Sequence, residues 1–362
     1  MKRVLIIGAN GQDGTLLTGL LNEQKIEHLG VNRQGAFSSS GKLIQSGTLA
    51  DPSFIEGVVK SFSPTHIFYL AAHHHSSEQS EKHGDATLWS LSLEVQVLGL
   101  AHTLQALKAN APGAKLFYAS SSHIYGSPVE SPQNEISAKV PINVYGLTKV
   151  AGMEVCRHYR ERYGLFASVG ILYNHESVHR KQAFLSKKVI QATLAIKKGR
   201  LKRLTLGDLS TEVDWGYAPD YVDAMIRILD FDRPDNFVIA SGEGHSVREF
   251  VQIAFALPAL GSITFLLMAF PANWKKTSGI RPRHRFRQHR SLFLRASHLP
   301  GASSDRCLCS SGLGSVLDLS LQHLVGHATA GATFLRFSHR AGYLDGPRWN
   351  RGSLFLLCLS QA

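Results

Sequence analysis

The last 106 of this chain's 362 residues lack glutamate: residues 257–362 contain none. Glutamate is among the commonest residues of globular domains, so this absence marks a change of composition near Ala256. The same segment holds 13 Lys and Arg against 3 Asp and Glu, whereas the 256 residues before it hold 26 against 24. Ten of the twelve net positive charges therefore belong to the tail, and the first 256 residues have the nearly balanced charge of an ordinary enzyme rather than of a nucleic-acid binder. Cysteine is scarce as well. Cys156, Cys307, Cys309 and Cys358 form no disulfide framework, and Cys307-x-Cys309 lacks the spacing of a zinc knuckle, so unpaired thiols are expected. No apolar run approaches the roughly 20 residues of a membrane span; Leu257–Phe270 is shorter and is broken by Pro258 and Gly261. The basic start Met1-Lys2-Arg3 leads into an apolar run that stops at Gly8, too early for an export signal, and a cytoplasmic location is expected.

What is present is an alternation of apolar runs and amphipathic stretches. Val4–Ile7, His28–Asn32, His66–Leu70, Lys115–Ser120, Ala167–Leu172 and Asn236–Ala240 read as strands. Gly14–Gln24, Ser53–Ser61, Trp89–Ala109, Tyr145–Tyr163, Ala183–Lys197 and Asp220–Leu229 read as helices, and a further helix starts at Ser246 or Val247. This pattern predicts an α/β, Rossmann-type doubly wound parallel sheet with a smaller substrate lobe. Residues 1–172 make mainly the NADP-binding part, 173–256 supply lobe elements interleaved with it, and 257–362 form an irregular, atypical basic tail.

The first turn is Gly8-Ala9-Asn10-Gly11-Gln12-Asp13-Gly14, placed between strand and helix. Gly8 permits a tight turn, Gly11 lets the backbone approach a pyrophosphate, and Gly14 lets the helix lie close to the sheet. The phosphate would sit on free N–H groups at the helix start. Arg33, at the end of the second strand, stands where a 2′-phosphate would be met, which favours NADP, with NAD as the alternative. Tyr145 and Lys149 are four residues apart on one helical face. A tyrosine that moves protons near neutral pH needs its phenol pKa lowered, and a neighbouring ammonium does that. Ser121 follows a strand and is placed to hydrogen-bond the same substrate oxygen. His73-His74-His75 invites a metal, but three consecutive side chains do not face one ion, and no metal is expected.

With these segments in hand, the chain resembles the extended short-chain dehydrogenase/reductases (the NAD-dependent epimerase/dehydratases) and, within them, the GDP-mannose 4,6-dehydratase family. The matching stretches are Gly8–Gly14 with Gln12 and Asp13, Ser120–Gly126, Tyr145–Lys149, Asn174-His175-Glu176-Ser177, Asp214–Met225 and His245–Phe250. The resemblance covers about residues 1–255. It implies that Tyr145 takes the proton of a sugar C4 hydroxyl while hydride leaves C4 for the nicotinamide, that Lys149 holds the ribose, and that Ser121 orients the oxygen. It places Gly8, Gly11, Gln12, Asp13, Gly14, Arg33, Tyr145 and Lys149 at the cofactor and Asn174, Glu176 and Ser177 at the substrate. It also implies a sugar-nucleotide substrate and a homodimer through the helices at 89–109 and 145–163, with no nucleic acid and no membrane.

Four departures stand out. His123 occupies the place of the family's usual glutamate, and an imidazole is a proton carrier of different length and charge. Val213 replaces an arginine, Val178-His179-Arg180 replaces Pro-Arg-Arg, and the histidine run replaces a substrate-facing serine. Dehydration with His123 as acid/base is the leading expectation. A sugar-nucleotide 4-epimerase and a non-catalytic nucleotide-binding remnant stay open. For the tail, translation out of frame after about Ala256 is favoured over a divergent lobe or a nucleic-acid-binding extension, because it explains the lost resemblance and the missing glutamate together.

Overall fold

The computed structural model describes residues 2–73 and 85–256. The tail 257–362, His74, His75, Cys307, Cys309 and Cys358 lie outside the described residues, and so do the expectations that rest on them.

The main sheet has eight strands in the order β10-β7-β6-β5-β1-β2-β3-β4. Its parallel part comprises β1 (Arg3–Ile7), β2 (Glu27–Asn32), β5 (His66–Tyr69), β6 (Lys115–Ser121), β7 (Phe166–Leu172) and β10 (Asn236–Ile239). At one edge the sheet adds a hairpin that the strand pattern did not include. There β3 (Gly35–Ser38) runs antiparallel to β2, and β4 (Leu43–Ser46) antiparallel to β3. The reversal is a tight turn at Arg33-Gln34: the Asn32 side chain accepts from Gln34 N–H at 2.8 Å, and Gly35 has φ +140°.

Side chains alternate along the strands, so each strand feeds two cores. Leu5 and Ile7 face a layer made by α2 (Pro52–Phe62), α4 (Gly99–Asn110) and α5 (Val144–Tyr163), with Val58, Leu104 and Met153 among its buried residues. Val4 and Ile6 face α1 (Gln12–Glu23) and α7 (Ala218–Leu229), where Leu17, Leu21, Met225 and Ile228 pack. Helix ends follow local chemistry. Asp51 accepts from Ser53 N–H at 2.9 Å ahead of Pro52, and Ser63 closes α2 in the left-handed region. Asn143 caps α5 and Gly164, at φ +67°, ends it.

A second sheet, β11-β9-β8, is built from β8 (Asn174–Glu176), β9 (Glu212–Tyr217) and β11 (Gly244–Ser246). It joins α6 (Leu185–Lys197) and α8 (Val247–Ala256) around a separate small core of Val189, Ile190, Trp215, Val247, Phe250 and Ala254. Val213, in place of the expected arginine, packs against this core.

The helix expected over 89–109 is three pieces: α3 (Asp85–Leu93), a π-turn at Glu94–Leu98, and α4. The cause lies in the sheet. Tyr69 donates its hydroxyl to the carbonyl of Val95, and Tyr118 donates to that of Gln96, which a regular α-helix would keep for its own ladder. Among the described residues no helix is long and apolar enough to cross a membrane.

Candidate active site

The sheet order reverses at β1, between β2 and β5, and the crevice beyond the strand ends at such a point is where α/β sheets bind ligands. The glycine turn lies there. A Cβ on Gly8 (φ +97°) would sit 2.6 Å from the backbone nitrogen of Ala71, and one on Gly14 would sit 2.5 Å from the Gly8 carbonyl oxygen. Those two glycines answer the protein's own packing. A Cβ on Gly11 would meet only that carbonyl, at 3.3 Å. Gly11 is the N-cap of α1 and offers no side-chain hydrogen bond to its first turn. The open space and the uncapped N–H groups together fit a dinucleotide pyrophosphate. Arg33 is exposed in the turn after β2.

Gln12 and Asp13 turn their side chains to β8. Gln12 donates to the carbonyl of His175 at 2.9 Å and accepts from the Ser177 hydroxyl at 2.9 Å. Asp13 faces the Nε2 of His175 at 3.0 Å, and that ring stacks on Tyr221 with centroids 4.5 Å apart. Glu176 is buried, 2% exposed, where it accepts from Ser186 at 2.7 Å and pairs with Arg180 at 3.1 Å. Of the three residues assigned to substrate, Ser177 and Glu176 are thus bonded within the protein, and Asn174 is half-buried at the start of β8.

The expected catalytic residues come together. Ser121 ends β6, and His123 follows in a 3-10 turn at Ser122–Tyr125. Helix α5 delivers Tyr145 and Lys149. It lies close to β6 because a Cβ on Gly146 would strike the His123 carbonyl at 2.5 Å and one on Gly152 would strike the Tyr118 hydroxyl at 2.2 Å. Tyr145 is hydrogen-bonded to the Ser121 side chain. The His123 ring meets Tyr145 edge-on, with centroids 5.5 Å apart and planes at 85°. Lys149 is fully buried, donates to the Ala119 carbonyl at 2.7 Å and holds its ammonium 5.5 Å from the Tyr145 ring centroid.

The electrostatics differ from the simple tyrosine–lysine expectation. Burial pushes the Tyr145 phenol up to about 12, against the opposing pull of the Arg180 charge and the Ser121 hydrogen bond. Burial also drives the Lys149 ammonium down to about 7. Two buried groups are each pressed toward their neutral forms, and the cation acting on the phenol is Arg180. His123 is exposed, yet surrounding protein holds its imidazole below the ordinary value.

Three contributors were not legible in the sequence. Arg180 lies past the asparagine–histidine–glutamate–serine segment, with its guanidinium 3.6 Å from the Phe184 ring centroid. Gln96, fully buried in the π-turn, accepts from His73 N–H at 3.1 Å and donates to Thr148, the neighbour of Lys149. Asn143 reaches His123. Among the described residues no group of His, Cys, Asp or Glu is gathered for a metal ion.

Similarity to known proteins accords with this geometry. The GDP-mannose 4,6 dehydratase family matches residues 5–264. GDP-mannose 4,6 dehydratase 2 of Caenorhabditis elegans is 36% identical over 274 residues, covering 70% of both chains. The human GDP-mannose 4,6 dehydratase is 35% identical over 270 residues, covering 69% of this chain and 71% of that protein. Among solved structures, RMD from Pseudomonas aeruginosa complexed with NADPH superposes with a TM-score of 0.60 at 22% identity, over 70% of this chain and 82% of that one, a likeness of fold. A crevice with a glycine cradle, a serine–tyrosine–lysine set and this extent of shared sequence have one common explanation: the chain belongs to the GDP-mannose 4,6-dehydratase family.

Proposed function

We propose that this chain is a sugar-nucleotide 4,6-dehydratase that converts a GDP-mannose-type substrate to its 4-keto-6-deoxy product with NADP held in the crevice. The observation that carries the reading is the convergence of Ser121, His123, Tyr145 and Lys149 at the end of β6, beside the glycine turn. Gly11 and the first turn of α1 would hold the pyrophosphate, and Arg33 the 2′-phosphate that separates NADP from NAD. NADP, when bound, would supply reversible hydride acceptance, which leaves the reaction with no net redox change.

The chain's own residues manage protons. Tyr145 takes the C4 hydroxyl proton, assisted by the hydrogen bond to Ser121 and the charge of Arg180. Ser121 holds the C4 oxygen, and Lys149 presents its amine beside the phenol. His123 sits where the C5 proton is removed and the C6 hydroxyl leaves as water. Asn174 contacts the nucleotide. Residues 1–172 serve mainly the cofactor and 173–256 the sugar nucleotide, in a cytoplasmic homodimer. Exposed apolar residues on the proposed pairing helices, Leu98 (51% exposed) and Leu147 (41%), favour that assembly.

A 4-epimerase needs the C4 oxidation but no proton carrier for C5, and the imidazole packed on Tyr145 favours dehydration over it. A nucleotide-binding remnant would bind NADP and turn nothing over. The test is incubation of the purified protein with NADP and GDP-mannose, followed by mass analysis. Loss of one water from the sugar nucleotide is expected. An isomeric product of unchanged mass would establish epimerisation, and NADP binding without product would establish the remnant.

A further inference from the structure

His123 has two ring nitrogens, and which of them carries the proton decides what the ring can do for a substrate. The answer is set outside the ring. Asn143 caps α5 by accepting from Gly146 N–H, 2.8 Å from its Oδ1. A backbone N–H only donates, so the carboxamide has one orientation and its amino group points away from the helix. That Nδ2 lies 3.2 Å from Nδ1 of His123. An amide NH2 also only donates, so Nδ1 of His123 must bring a lone pair. A neutral imidazole has one proton, and it is left on Nε2. A second proton, on Nδ1, would set two donors against each other and break the bond. Desolvation by the surrounding protein opposes that protonation as well and lowers the imidazole pKa; among the described residues Asn143 and the edge-on Tyr145 face the ring.

We infer that Asn143 is a positioning residue that locks His123 in its Nε2–H tautomer, so that the ring meets the sugar as a hydrogen-bond donor. The consequence rests on the assignment of His123 to the elimination. In that step an imidazole lone pair takes the C5 proton, and the C5–H electrons form the C5=C6 double bond as the C6–O bond breaks. The departing hydroxyl takes that same proton back from the imidazolium and leaves as water. With Nε2 already protonated and the Nδ1 lone pair held by Asn143, the ring takes the C5 proton only by changing tautomer and losing the Asn143 bond. Asn143 thus restrains elimination and leaves C4 oxidation untouched.

The distinguishing variant is Asn143→Asp. Aspartate caps a helix as well as asparagine does, so α5 keeps its start. Its second oxygen accepts where the amide donated, which draws the proton to Nδ1 and frees the Nε2 lone pair. Asn143→Ser keeps the cap and removes the partner of the ring. Ring nitrogen NMR of the full chain, with thermal melting as the control for folding, reads the tautomer without any turnover. The expected result is Nε2–H in the wild type, Nδ1–H in N143D, and both forms in N143S. Formation of the dehydrated product should rise about tenfold in N143D, with its pH optimum displaced upward. A wild-type His123 protonated at Nδ1, or divided between the nitrogens, would overturn the proposal. If the tautomers are as expected and N143D oxidises C4 but eliminates no faster, the lock stands and the assignment of His123 to elimination falls.

Discussion

Asp13, in the first turn of α1, faces His175 of β8 across 162 positions of sequence, with Nε2 3.0 Å from one carboxylate oxygen and 3.1 Å from the other. The contact ties the small sheet to the glycine turn. Burial pushes the Asp13 carboxyl up, but the charge of His175, its hydrogen bond and Arg180 outweigh it, leaving the pKa below the usual 3.8. Burial pulls His175 down, but Asp13 outweighs it and leaves the imidazole above 6.5. The stability from Asp13 is present above pH 3.8 and lost as pH falls through its lowered value. That from His175 is full below 6.5 and lost as pH rises through its raised value. The pair is therefore strongest between those values. Asp13→Asn should cost about 3 kcal/mol at pH 6 and clearly less at pH 9. Denaturant melts at both pH values check this; an equal loss at both would contradict it.

Lys149 is held for function against stability. Its folded pKa of about 7 is depressed from 10.5, so burial of the charge costs the native state most below pH 7 and nothing above 10.5. Lys149→Met should abolish turnover and raise the melting temperature at pH 6.5 by a few degrees, about 1–2 kcal/mol. The gain should fade toward pH 10. A lower melting temperature at pH 6.5 would show that the bond to Ala119 outweighs the burial cost.

Gly152 lets α5 lie on Tyr118, whose buried hydroxyl would be 2.2 Å from a new Cβ. Tyr118 also lies beneath Lys149, with the ammonium 5.0 Å from its ring centroid. Gly152→Ala should destabilise by about 1–3 kcal/mol through overpacking. It should also lower turnover by displacing Lys149, whereas Gly164→Ala, with open space around its Cβ position, should leave turnover unchanged while straining the helix end. Parallel melts and assays separate the two.

Arg180 supplies the charge that opposes the upward pull of burial on Tyr145. In Arg180→Gln the phenol should titrate higher, the alkaline rise of C4 oxidation should move to higher pH, and the rate at pH 7.5 should fall about tenfold. An unmoved pH profile with a lower rate would assign Arg180 to holding Glu176 alone.

The strand and helix order could be read because strand-like runs of four to six residues alternate with amphipathic stretches, and each run became a strand of the parallel sheet. The β3–β4 hairpin could not. Ser38-Ser39-Ser40-Gly41 reads as loop, and β4 has only the two apolar residues Leu43 and Ile44, both exposed, too short a run to signal a strand. The π-turn is dictated by the hydroxyls of Tyr69 and Tyr118 on strands distant in sequence. At the site, Ser121, Tyr145 and Lys149 were visible because helical spacing puts tyrosine and lysine on one face. Asn143 could not be read, since its bond to His123 depends on a turn 20 residues upstream. Arg180 was hidden because its partners, Glu176 and Tyr145, meet only once β8 docks on the main sheet.

The central claim is that one hydride leaves C4 and returns within the same turnover. GDP-mannose carrying deuterium at C4, incubated with the protein and unlabelled NADP, tests it directly. The account predicts a product lighter by one water with the deuterium now at C6. Deuterium found at C4 of an isomeric sugar, or released into NADP with an oxidised sugar left behind, would contradict it.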